Sequence, residues 1–205
     1  MSEPNQPPTR FAWDQRPMPK ASPAFVRMID TLRGFLDRLA LAHPDDALST
    51  QIADTSAEWT GQLAAAAVPE EDRICGRLLD QPGRAYLMMP PYEVTYIDRE
   101  KMEGPVIFGH HFLGRNGAVH GGTIMLLFDD LLGRLIHTDS DIRSRTAYMH
   151  VDFRAVTPID TPLTFRATLK NEEGRKRIVR GEIWNGETLC VEAEGLFIAL
   201  KPGQP

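Results

Sequence analysis

The chain has 205 residues, 42% of them hydrophobic and 25% charged, enough for one full core plus an appendage. With 23 Lys and Arg against 28 Asp and Glu, the net charge of −5 gives no overall attraction to nucleic acid or anionic membranes. No apolar stretch reaches the roughly 20 residues of a membrane span and the start lacks the apolar core of a signal peptide, so the expectation is a cytoplasmic protein.

Residues 1–21 are rich in Pro, Gln and Asn with little periodicity, the composition of a loose arm. The segment 22–87 reads as a helical extension. Ser22 is a candidate N-cap and Pro23 a first helical residue, followed by Phe25, Met28, Ile29, Leu32, Phe35, Leu36 and Leu39 at helical spacing, with a stop before Pro44. A second stripe, Leu48, Ile52, Thr55, Trp59 and Leu63, runs to about Val68 and Pro69. The pair makes an α-hairpin in which each helix has one apolar stripe, to be covered by the other helix and by something else.

From about Tyr92 the period changes to two, which opens a domain at 88–201. "YEVTYIDREKMEGPVIFGHHF" suggests a short hairpin turning near Glu103 and Gly104, with His110 and His111 as strand residues. In "TAYMHVDFRAV", Ala147, Met149, Val151, Phe153 and Ala155 alternate with Thr146, Tyr148, His150, Asp152 and Arg154, a half-buried strand. The segment from Leu163 reads as three further strands joined by turns at "NEEG" and "NG". Two strands, one apolar helix and four strands make an α+β arrangement of a long helix against one six-stranded antiparallel sheet.

The helix itself, within "NGAVHGGTIMLLFDDLLGRLI", is apolar nearly all round yet carries Asp129 and Asp130. Asp130 has Arg134 four residues later and reads as an exposed ion pair. Asp129 has only Met125, Leu132 and Gly133 on its face, so a buried carboxylate without a local basic partner is expected there, either functional or satisfied by backbone groups. His120, Gly121 and Gly122 stand where the helix begins. Its first N–H groups have no intrahelical partner and carry partial positive charge, so "HGG" is either an oxyanion site or only a turn. Cys75 and Cys190 stand far apart in no C-x-x-C or Cys/His cluster, and the histidines lack metal-ligand spacing, so neither a disulfide framework nor a metal site is expected.

"GAVHGGTIMLLFDD", then "TAYMHVDFRAVTP" and "EGRKRIVRGEIWNGETLCVEAEGLFI", resemble the hotdog-fold thioesterase superfamily in its PaaI-like branch, over roughly residues 88–200. The resemblance implies hydrolysis of an acyl-CoA thioester at a site between two subunits of a homodimer, with dimers often pairing into tetramers, and no cofactor. It implies that Asp129 acts as general base or nucleophile and that the Gly121 N–H, with His120 beside it, polarises the carbonyl, with Gly122 and Asn116 among the residues that bind substrate or CoA. It further implies that Thr146 helps place the water across the dimer interface. Asp152, Arg154, Arg175 and Lys176 match CoA-contacting positions, although "EGRKR" also reads as a solvated turn. Many relatives carry Asn or Gln six residues before the His; here that position is Gly114, and Asn116 stands two residues away. A non-catalytic acyl-CoA sensor is the alternative on the same fold, and a hydratase a third reading. The α-hairpin is either a lid limiting acyl length or a structural cap.

Overall fold

The computed structural model describes residues 19–138, 140–201 and 203–204. Most of the expected arm, up to residue 18, lies outside the described residues, while Ala21 packs against the cluster around Ile29. Helix α1 (Pro23–Leu41) starts as its sequence requires: the Ser22 hydroxyl accepts from the Phe25 N–H at 3.1 Å, and Pro23 takes the first helical position. Helix α2 (Asp46–Ala65) is capped by Asp45, whose carboxylate accepts from the Leu48 N–H at 2.8 Å.

The two helices fare differently. α1 buries Ile29 with Leu78 and Ala85, and its Arg33 donates to the Pro82 carbonyl at 2.8 Å. α2 has no buried residue, and Trp59, expected as a packing residue, is 54% exposed. The covering expected for both stripes is found only for part of the α1 stripe, where Met28, Phe35 and Leu39 also stay exposed.

Strands β1 (Tyr96–Ile97), β2 (Lys101–Val106), β5 (Ser144–Phe153), β6 (Leu163–Glu173), β7 (Lys176–Asn185) and β8 (Thr188–Ala199) form one antiparallel sheet in the order β1-β2-β6-β7-β8-β5. The first hairpin does not turn at Glu103 and Gly104, which lie inside β2. It turns at 98–100, where the Asp98 carboxylate accepts the N–H groups of Glu100 and Lys101 at 2.8 and 2.7 Å, the local bonding that makes aspartate a turn former. His110 and His111 belong to a 3₁₀ turn, His110–Phe112. A small second sheet, β3 (Leu113–Arg115) with β4 (Ala118–Val119), leads into α3 (Gly121–Ile136). α3 lies on the six-stranded sheet and buries Ile124, Leu127, Phe128, Leu131, Leu132 and Leu135 against it. This is the expected long helix on a six-stranded sheet, the hotdog arrangement, with an N-terminal α-hairpin added.

Asp130 departs from expectation. It is not an exposed partner of Arg134: its side chain is 7% exposed, ion-paired with Arg84, and accepts the Tyr92 hydroxyl at 2.6 Å. Arg134 is itself buried and donates to the Leu79 carbonyl at 3.0 Å. Burial pushes the Asp130 carboxyl up from its ordinary range, against the pull of Arg84, the Tyr92 hydroxyl and Arg134. Arg84 reaches it from a left-handed turn, with φ of 54° at Gly83, 56° at Arg84 and 54° at Ala85. Such backbone is unfavourable for residues with a Cβ, so surrounding contacts must hold it. The Gly83 N–H donating to the Tyr92 carbonyl at 2.9 Å is one of them.

Removing one partner of a buried ion pair leaves the other uncompensated, typically at about 3–5 kcal/mol. Asp130→Ala is therefore expected to lower unfolding stability by roughly 3 kcal/mol or more in urea denaturation, whereas Asp98→Ala on the exposed turn lowers it by about 1 kcal/mol.

Candidate active site

The start of α3 is held from two sides. The His120 N–H donates to the Phe112 carbonyl at 2.8 Å, and the Val119 N–H donates to the Thr157 carbonyl at 2.8 Å. His120 is the N-cap, and its Nδ1 accepts from the Gly122 N–H at 3.1 Å. That bond uses the Nδ1 lone pair, so a neutral ring carries its proton on Nε2 and offers a donor rather than a base. Gly121 is at the first helical position, where an N–H has no intrahelical acceptor. A Cβ on Gly121 would come within 3.2 Å of the Phe153 ring, which places Phe153 of β5 over this glycine.

Asn116 is a turn residue. With φ of 53° at Asn116 and 76° at Gly117, the pair forms the two-residue turn joining β3 to β4, the Asn-Gly sequence that such turns favour. Gly114 lies against the His120 backbone; a Cβ there would be 3.0 Å from the His120 Cα. The position six before the histidine thus carries no polar side chain.

Asp129 is exposed on this chain, not buried as expected. Gly122, Met125 and Asp129 form the one stripe of α3 that neither the sheet nor the extension covers, and Met125 is 46% exposed. The second departure is larger. The Thr146 hydroxyl donates to Asp129 Oδ1 at 2.8 Å within one chain, where the two were expected to meet only across a dimer interface. A β-bulge is the cause. Thr146 pairs with Phe197 and Tyr148 with Leu196, so Ala147 is an extra residue on β5. The insertion shifts the alternation by one, turning Thr146 to the α3 side together with Met149 and Val151 and sending Tyr148 outward to Glu194. Strict alternation across "TAYMHVDFRAV" had put Thr146 on the opposite face from Phe153.

The basic residues divide between two places. Arg175 and Lys176 lie at the β6–β7 turn, where Arg175 Nε donates to the Ala199 carbonyl at 2.8 Å and Lys176 pairs with Ile198. In register, that is the end of the sheet at which β5 begins, close to Thr146. Asp152 and Arg154 lie at the other end of β5 in an ion network with Glu192 (Arg154–Asp152 at 3.1 Å, Arg154–Glu192 at 2.7 Å). His137, at the C-terminal end of α3, accepts the Ser144 N–H on Nε2 at 3.0 Å, and burial lowers its pKa to about 4. This neutral imidazole ties the end of α3 to the start of β5, the strand that carries Thr146. Among the described residues, no group of three or more His, Cys, Asp or Glu side chains is placed to hold a metal ion, and no helix is long and apolar enough to cross a membrane.

The family model of the thioesterase superfamily matches residues 116–192, from the Asn-Gly turn through α3 to the middle of β8. Over those residues the chain is similar to the thioesterase superfamily. Among solved structures, protein RHA08564, described as a thioesterase superfamily protein, is 24% identical with a TM-score of 0.74, covering 89% of this chain and 98% of its own. A hypothetical thioesterase protein from Streptococcus pneumoniae, solved with coenzyme A, is 16% identical with a TM-score of 0.50, covering 53% of this chain and 87% of its own. The smu.793 protein from Streptococcus mutans, bound to acetyl CoA, is 13% identical with a TM-score of 0.51, covering 53% and 88%. At these identities the likeness is one of fold. No curated protein matches the chain. The 89% coverage by RHA08564, against 53% by the other two, means that the shared fold includes much of the helical extension.

The residues that the sequence left unnoticed are Phe153 as the cover of Gly121, and Arg84 and Tyr92 as the partners of Asp130. Phe153 was legible as an apolar strand position but not as a neighbour of the helix start. Nothing in the order of residues links Arg84 to a carboxylate 46 positions later.

Proposed function

We propose that the protein is an acyl-CoA thioesterase of the PaaI-like type, with a composite site formed by two copies of the chain. The observation that carries the reading is the pairing of a helix-start N–H at Gly121 with an accessible carboxylate at Asp129 fixed by the Thr146 hydroxyl at 2.8 Å. The Gly121 N–H, backed by the positive end of α3, receives the thioester oxygen as charge develops on it. His120 Nε2–H lies beside it as a further donor. Asp129 Oδ1 accepts from Thr146, which leaves Oδ2 to take a proton from water as that water attacks the carbonyl carbon. Collapse of the tetrahedral oxyanion breaks the C–S bond, and the CoA thiolate leaves to be protonated. Direct attack by Asp129, giving an anhydride that water opens, uses the same atoms. Arg175 and Lys176 near Thr146, and Arg154 at the far end of β5, are the groups suited to CoA phosphates.

Within one chain these parts do not converge. Gly121 and Asp129 are eight residues apart on α3, about 12 Å along the axis. Donor to carbonyl oxygen, carbonyl carbon to water and water to base are three contacts of about 3 Å set at angles to one another, and they fall short of that span. A second copy closes the gap. β5 is a ten-residue edge strand, beside it lies the open Gly122, Met125 and Asp129 stripe, and Phe153 is 55% exposed. An antiparallel pairing of β5 with its symmetry mate, centred on His150, sets Thr146 of one copy opposite Phe153 of the other once the extra residue Ala147 is left out of the ladder. Asp129 then faces the Gly121 that Phe153 covers. The pairing also removes an exposed sheet edge.

Free-thiol release from a panel of acyl-CoAs of different length and aromaticity tests the activity. Asp129→Asn keeps the volume and removes the base, so turnover is expected to fall by about 100-fold or more. Gly121→Pro deletes the N–H at a helix position where proline is accepted, and about 100- to 1,000-fold is expected to be lost beyond the loss in Gly121→Ala, which sets the same Cβ against Phe153. Acyl-CoA binding without thiol release by the wild-type protein would make it a sensor and sink the enzyme reading.

The composite site has its own test. Each inactive variant alone has no intact site, but a mixed dimer of Asp129→Asn with Gly121→Pro regenerates one. Unfolding and refolding the two together is expected to recover about a quarter of wild-type activity. A site formed within one chain would recover none.

A further inference from the structure

We infer that Asp37, on the N-terminal helix α1, is a positioning residue for the helix start that carries the Gly121 donor. This rests on the thioesterase reading of Gly121. The Asp37 carboxylate accepts the His111 N–H at 3.1 Å, and its Oδ1 lies 2.5 Å from His111 Nδ1. It sits directly against Gly109: a Cβ on that glycine would be 2.4 Å from Oδ1 and 2.5 Å from Oδ2. One carboxylate thus bonds the His111 end of this turn and lies in close contact with its Gly109 end. The Phe112 N–H closes the same turn on the Gly109 carbonyl at 3.0 Å, and the Phe112 carbonyl in turn accepts the His120 N–H at 2.8 Å. The path from α1 to His120, the residue before Gly121, is a run of hydrogen bonds through one 3₁₀ turn.

Apolar packing seats the rest of that turn, with Phe112 in the main core. Among the described residues His111 Nε2 is buried without a hydrogen-bond partner, so Asp37 is the polar anchor of the ring. The ring packs on Phe112, with centroids 3.8 Å apart, and Phe112 meets Phe108 edge-on at 6.3 Å. Burial pushes the Asp37 carboxyl up, but the hydrogen bonds and charge of His111 outweigh it and hold the carboxyl below its ordinary value. His110, whose Nε2 is 3.9 Å from Asp160, adds a smaller pull in the same direction. An oxyanion donor acts only when held within a fraction of an ångström of its working place, and a misplacement of about 1 Å costs on the order of 100-fold. The extension therefore contributes to the chemistry through α1 without touching substrate.

The test uses the full chain with Asp37→Ala, Asp37→Asn and His111→Gln. Hydrolysis of the best acyl-CoA in the panel is read as kcat and KM separately, beside amide hydrogen exchange over residues 109–122. For Asp37→Ala, kcat is expected to fall roughly 10- to 100-fold with KM within about twofold. Exchange rises at 109–113 and 120–122 while the β6–β8 amides keep their protection. Asp37→Asn, which retains an acceptor oxygen for the His111 N–H, is expected to recover most of kcat, and His111→Gln, which leaves that backbone N–H on Asp37, to lose less than Asp37→Ala. A lowered melting temperature with kcat within twofold of wild type would make Asp37 only an anchor for α1 and overturn the proposal. So would unchanged exchange at 120–122 in a folded Asp37→Ala protein. If the wild-type protein releases no thiol from any acyl-CoA, the thioesterase reading fails separately, and exchange at 120–122 alone upholds or overturns the mechanical link.

Discussion

The rise of 1.5 Å per residue along α3 sets the terms for the whole arrangement. A helix is stiff, so a donor at its first turn and a carboxylate two turns further on stay about 12 Å apart whatever the loops around them do. α3 runs opposite to β5, which brings Gly121 beside Phe153 at one end and Asp129 beside Thr146 at the other. In the proposed dimer each chain presents two half-sites along one open edge. Twofold symmetry about that edge exchanges the ends, which is why a stiff helix and an unpaired strand together suit a site shared by two copies.

The bulge at Ala147 matters for the same reason. Without it, Thr146 would point to the outer face of the sheet with Tyr148 and His150, and Asp129 would lose its only side-chain hydrogen bond among the described residues. One extra residue re-aims one hydroxyl while leaving Met149 and Val151 in the core.

The segment before the sheet is tied to α3 by charge as much as by apolar contact. Arg33 holds the Pro82 carbonyl, the neighbouring left-handed turn presents Arg84 to Asp130, and Asp37 grips the turn ahead of His120. Buried ions are costly unless paired, so these contacts favour one arrangement of α1 against the domain over any slipped alternative. α2 has no comparable tie, and its apolar side chains remain exposed beside α1.

Sequence alone determined the features that rest on local periodicity and turn chemistry: the capped start of α1 at Ser22, the apolar α3 with its glycine-led N-terminus, the meander from Leu163, and the spacing of His120 from Asp129. These are properties of neighbours a few residues apart, where propensity and pattern act directly. Tertiary structure decided the environment of each carboxylate. Read on α3 alone, Asp129 looked buried and Asp130 looked solvated; the reverse holds, because the cover for one face comes from Arg84 and Tyr92 while the other face opens beside an edge strand. Burial depends on what packs from far along the chain, and a single helix carries no record of it. The same is true of Thr146, whose direction turns on one unpaired residue in a ladder with β8, and of Asp37, which meets His111 only once α1 has docked.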